Sequence, residues 1–112
     1  MLHGIASLLK KSSPEVVDAM TRQVAEQSVE DVCQRVATHM DGMTLSEARG
    51  YIRARAAGIV RRQTRLAISR NPGTGQDIAE VVARSATERI LPTVLRRTGV
   101  GVPRALELPA AA

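Results

Sequence analysis

The stretch Thr44–Arg70, TLSEARGYIRARAAGIVRRQTRLAISR, decides the fold. Thr44-x-x-Glu47 has the form of a capping box, in which the Thr hydroxyl accepts from the N3 amide and the Glu carboxylate reaches back to the cap amide. Behind it Leu45, Ala48, Ile52, Ala56, Ile59, Val60, Leu66 and Ala67 recur at helical spacing and make one apolar face. Asn71-Pro72-Gly73-Thr74-Gly75 then breaks any regular element. The segment predicts one long helix over about 45–70, roughly seven turns. A helix with an apolar stripe of that length needs other helices to cover it.

Upstream, Ser13-Pro14-Glu15 starts a helix, with Ser at the N-cap, Pro at the first helical position and an acid in the first turn. Val16, Val17, Met20 and Val24 form one stripe; Val29, Val32, Cys33, Val36, Ala37 and Met40 form a second. At 100° per residue the two would lie roughly 165° apart on a continuous helix. Ser28-x-x-Asp31 offers a fresh cap between them. The pattern predicts two helices, 14–26 and 29–40, bent near Gln27 and ended by Asp41-Gly42. Downstream, Thr74-x-x-Asp77 caps a further helix carrying Ile78, Val81, Val82, Ala86 and Ile90. Pro92 lacks an amide donor, so a kink or restart is expected there, followed by a short helical piece through Arg97.

The expectation is an all-α protein, a small bundle of four to five helices around the long central helix. It forms a single domain over 14–98, with an N-terminal tail at 1–13 and a C-terminal tail at 99–112. Both tails are expected to be disordered or extended. In the first of them Leu2, Ile5, Leu8 and Leu9 share one helical face.

Tyr51 is the one aromatic residue among 112, with no Phe or Trp. The core must come from Val, Ile, Leu, Met and Ala, and it is lean in apolar area. That predicts a homo-oligomer or a partner protein sharing the hydrophobic surface. Ile68 falls away from the main stripe, near Thr64 and Ala57, and these three form the candidate oligomer contact. One cysteine, Cys33, excludes an internal disulfide framework. No apolar run approaches the 18 or so residues of a membrane span. In the opening segment Lys10 and Lys11 follow the apolar residues, the reverse of a secretory signal. A cytoplasmic protein with no membrane association is expected.

The formal charge is +5 and is unevenly distributed. Residues 1–41 carry four basic and six acidic side chains, whereas residues 42–112 carry twelve Arg against five acids. On the long helix Arg49, Arg53, Arg55, Arg61, Arg62, Arg65 and Arg70 face the single acid Glu47. Arg61, Arg62 and Arg65 lie opposite the apolar stripe, while Arg49, Arg53 and Arg55 flank it. Such a surface attracts polyanions, and Arg suits bidentate contact to phosphate. The candidate nucleic-acid-binding residues are Arg61, Arg62, Arg65, Arg53, Arg55 and Arg70. The alternative is a solvated helix whose Arg residues pair with Glu26, Glu30 and Asp31. Modules that grip single strands stack bases on aromatic rings, so Tyr51 alone favours backbone contact to a duplex or structured RNA. The function expected is a small basic nucleic-acid-binding regulatory protein. The alternative is a non-catalytic helical adaptor or assembly subunit acting through protein contacts.

Catalytic chemistry is hard to place. His3 sits in a tail, and His39 and Cys33 are six apart, which does not put them on one helical face. They lack further ligands for zinc, and Cys33 reads as a small core residue. The glycines of Asn71–Gly75 lack the Lys-Ser/Thr of a phosphate-binding loop. No enzyme, cofactor or metal is expected.

From Cys33 to Ala56 a short motif stands out. The turn Gly42-Met43-Thr44 precedes Glu47-Ala48, Ile52-Arg53 and Ala56, and Cys33, Val36 and Ala37 fit the apolar side of the preceding helix. This pattern resembles part of the ANTAR domain, a three-helix RNA-binding module of bacterial antitermination regulators. Past Ala56 the agreement is interrupted: the same helix runs on to Arg70, and only Ile78-Ala79-Glu80-Val81 resembles the family's third element. The resemblance implies binding of an RNA hairpin with Arg53 among the contacts.

Overall fold

The computed structural model describes residues 13–100 except Pro72 and Thr74. Ser13 caps the first helix, α1 (Pro14–Val36), its hydroxyl accepting from the Val16 amide at 3.2 Å. Thr44 caps α2 (Leu45–Ser69) through a complete capping box: the Glu47 amide donates to Thr44 Oγ1 at 3.1 Å and the Thr44 amide donates to Glu47 Oε1 at 2.8 Å. A 3-10 turn (Gln76–Ile78) leads into α3 (Ala79–Thr98). Gly99 closes α3 in the left-handed conformation at φ 77°, its amide donating to the Leu95 carbonyl at 3.0 Å. Of the tails expected at 1–13 and 99–112, residues 1–12 and 101–112 lie outside the described residues, as does the Thr74 cap.

Ion pairs between the helices set the topology. Arg53 of α2 meets Glu88 of α3, and Arg61 lines a cavity with Glu80 and Arg84, so numbers rise along α2 as they fall along α3. Asp18 and Glu30 of α1 meet Arg89 and Arg97 of α3 in parallel order. The result is an up-down-up bundle in which each helix touches both others.

The core follows one rule. Every fourth residue is buried: Met20, Val24, Ser28, Val32 and Val36 on α1; Ala48, Ile52, Ala56, Val60, Thr64 and Ile68 on α2; Ile78, Val82, Ala86, Ile90 and Val94 on the third arm. Four residues turn about 40° past a full revolution, so each row winds slowly around its helix in the right-handed sense. Many members are small, which lets the helices approach closely without aromatic filling.

This rule corrects the four-to-five-helix expectation to three. The division into two helices near Gln27 does not occur: α1 runs unbroken through it and ends at Val36, short of residue 40. Met20 and Val36 lie roughly 160° apart around α1 because the row winds that far in four steps. The two stripes are one, joined by Ser28, which is fully buried rather than a cap. The chain likewise does not restart at Pro92, which lies inside one continuous α3. Its ring sits on the exposed side of α3, while buried Leu91, Val94 and Leu95 tie the flanking turns to the same core.

Ile68 and Thr64, expected at an oligomer contact, are only 6 % and 2 % exposed. Both continue the α2 row inward, Thr64 donating to the Val60 carbonyl at 2.8 Å, and Ala57 is half-buried. Conversely Leu45 and Leu66, expected on the apolar face, are 41 % and 39 % exposed.

Two substitutions test the packing. Ser28 Oγ is buried with no hydrogen-bond partner among the described residues. Ser28→Ala is expected to stabilise the protein by about 1 kcal/mol in urea unfolding, whereas an N-cap serine would lose about that much. Gly50 and Gly58 are exposed in mid-α2, and a Cβ at either meets nothing within 4 Å. Gly58→Ala is expected to stabilise by about 0.5–1 kcal/mol; destabilisation would show that a neighbour occupies that space.

Candidate nucleic-acid interface

The buried row of α2 leaves a parallel row one residue further on: Arg49, Arg53, Ala57, Arg61 and Arg65. Its members step about 6 Å along the axis. From Arg49 to Arg61 they border the cleft between α2 and α3. Arg53 makes a bidentate pair with Glu88, Nε to Oε2 at 2.7 Å and Nη2 to Oε1 at 3.0 Å, with both side chains about half exposed. This pair holds the Glu88 carboxyl below the usual carboxylate range, by hydrogen bonding to Arg53 first, with Arg49 assisting. The same hydrogen bond raises Arg53.

On the opposite side of the bundle Arg97 Nη2 donates to Glu30 Oε1 at 2.8 Å and lowers that carboxyl in the same way. Arg22 pairs with Asp18 at 3.0 Å within α1, and Arg89 approaches Asp18 at 4.0 Å. Among the described residues the acids expected to face the long helix do not pair with it: Glu30 serves α3, and the acid in ion-pair contact with α2 is Glu88.

The remaining arginines divide clearly. Arg61, Arg62, Arg65 and Arg70 are exposed, and none has an acid within ion-pair distance among the described residues. Arg55 lies over the Tyr51 ring, its Cζ 5.3 Å from the centroid, and His39 stands 6.4 Å from the same ring. A cation over an aromatic face is held there. Of the six arginines anticipated, Arg53 and Arg55 are thus engaged within the chain, and Arg61, Arg62, Arg65 and Arg70 present free guanidinium groups. Arg49 and Arg84 are exposed and unpaired in the same sense and border the α2/α3 cleft. Arg84 was invisible to the sequence reading because it lies on another helix and reaches the cleft only through the antiparallel register.

The chain matches no protein-family model, no curated protein and no solved structure.

His39 is exposed and Cys33 buried, and burial raises the thiol pKa, with opposing help from Arg97. Such a thiol is a weak nucleophile at neutral pH. No group of three potential metal ligands exists among the described residues.

The Arg53–Glu88 and Arg97–Glu30 pairs carry a pH signature. A carboxylate whose folded pKa lies below its unfolded value stabilises above the unfolded value and loses that contribution as pH falls through the folded one. Stability should be level near neutrality and begin to decline below about pH 4.3, where unfolded Glu titrates. The Glu30→Gln/Glu88→Gln variant is expected to show a shallower decline in melting temperature between about pH 5 and pH 3. Parallel declines in the two proteins would remove this role from both pairs.

Proposed function

We propose that the protein is a small, basic, helical nucleic-acid-binding regulatory module that contacts the phosphate backbone of a duplex or structured RNA through α2. The observation that carries this reading is the state of Arg61, Arg62 and Arg65: exposed, close in sequence, and unpaired among the described residues. Unpaired guanidinium groups on a rigid helix attract phosphates and release counterions as they do so. Tyr51, half-buried and engaged by Arg55, offers no platform for stacking single-stranded bases. Backbone contact is the mode that the available side chains support. The resemblance of residues 33–56 to the ANTAR domain points the same way, toward an RNA hairpin, with Arg53 as a contact once it leaves Glu88.

A helical adaptor or assembly subunit is the second reading, favoured by the exposure of Leu45 and Leu66. These lie 21 residues apart on one helix, about 31 Å along its axis, too far to form one apolar patch.

Fluorescence anisotropy with a labelled RNA hairpin and a DNA duplex of the same stem tests the first reading. Binding is expected to weaken steeply between about 50 and 200 mM salt, and Arg61→Glu/Arg62→Glu/Arg65→Glu should abolish it or flatten the salt slope by about two to three. Absence of binding at low salt, or binding indifferent to the triple variant, would sink the proposal.

A further inference from the structure

The cleft between α2 and α3 holds two adjoining cavities of about 220 and 370 Å³. The first is bordered by Arg53, Arg61 and Arg84 with Glu80 and Glu88; the second by Arg49, Arg53 and Glu88 beside Leu91 and Pro92. Arg53 and Glu88 line both, so their ion pair stands at the waist of one continuous groove. Its α2 wall carries a cation at three of four positions from Arg49 to Arg61, and Arg84 adds a fourth from α3. Against these four cations stand two acids, Glu80 and Glu88, and only Glu88 is paired to a lining Arg.

We infer that this groove is the seat of the phosphodiester backbone and that Glu88 is an internal competitor, occupying Arg53 until a phosphate replaces it. The inference rests on the nucleic-acid reading above and deepens it. The Glu88 carboxylate offers two oxygens to the Arg53 fork, the arrangement that two non-bridging phosphate oxygens reproduce. Both partners are about half exposed, so the pair is open to exchange. Exposed ion pairs contribute little to stability, and giving one up for a phosphate costs correspondingly little. Arg49 and Arg61 flank this exchange point from either side along α2, about 6 and 12 Å from Arg53 along the axis. Phosphates bound by them bring the intervening backbone over Arg53. Glu80 limits the positive field at one end, which favours a single strand edge of a folded or duplex ligand over diffuse coating by anions.

The full chain is titrated by anisotropy with the labelled RNA hairpin and the matching DNA duplex, using wild type, Glu88→Gln, Arg84→Glu and the Arg61/Arg62/Arg65→Glu triple variant. Freeing Arg53 in Glu88→Gln is expected to tighten binding about three- to tenfold and steepen the salt slope by about one. Arg84→Glu is expected to weaken binding by at least that factor. Arg84 has no ion-pair partner among the described residues, so its reversal leaves the interhelical pairs intact and tests the groove even where Glu88→Gln unfolds. Tightening confined to the hairpin assigns the groove to RNA; tightening with both probes assigns it to the backbone common to both. Wild-type binding that is lost in the triple variant yet unchanged in Glu88→Gln and Arg84→Glu overturns the groove and leaves the nucleic-acid reading standing. Failure of wild type to bind either probe overturns both.

Discussion

The structure depends on a packing constraint imposed by the lack of aromatic side chains. Without Phe or Trp, three helices enclose a dry core only if their backbones come close, and close approach needs small or branched side chains in register. Rows of every fourth residue meet that need. Ala48 and Ala56 alternate with Ile52 and Val60 along α2, and Ala86 stands between Val82 and Ile90 on α3. The winding of these rows also explains how α1 serves two neighbours along its length without a break.

That same winding distributes the charge. A residue one place beyond a buried position sits at the rim of the core, where its stem covers apolar surface and its head emerges beside the neighbouring helix. Arg53 is such a residue, and Glu88 faces it across the groove. Arg62 lies further round and finds no acid among the described residues. An arginine in the row beside the core is held only where the facing helix places an acid within reach, as Glu88 is for Arg53. Arg49, Arg61 and Arg65 share Arg53's row but have no acid within ion-pair distance among the described residues.

Much of this was legible in the residues themselves. Local hydrogen-bonding chemistry announces the ends of helices, and the Ser13 and Thr44 caps and the Asn71–Gly75 break stand where their side chains require. The long arginine-bearing helix was therefore readable to within a residue or so at each end. The basic excess of the second half was readable too, since charge is a property of composition. Hydropathy alone was a poorer guide inside the helices. It discounted Ser28 and Thr64 as polar, which divided α1 in two and placed Thr64 and Ile68 on the outside.

The sequence by itself determined helical class, the main boundaries and the surplus of arginine, because these follow from backbone capping and from counting. Only the tertiary structure decided which polar residues are core, that Pro92 is carried within one continuous helix, and that Arg53 is held by Glu88 while Arg61, Arg62 and Arg65 have no such partner among the described residues. Those outcomes depend on the register between helices far apart in the chain. Register is fixed by the mutual fit of three winding rows, and no single segment contains that information.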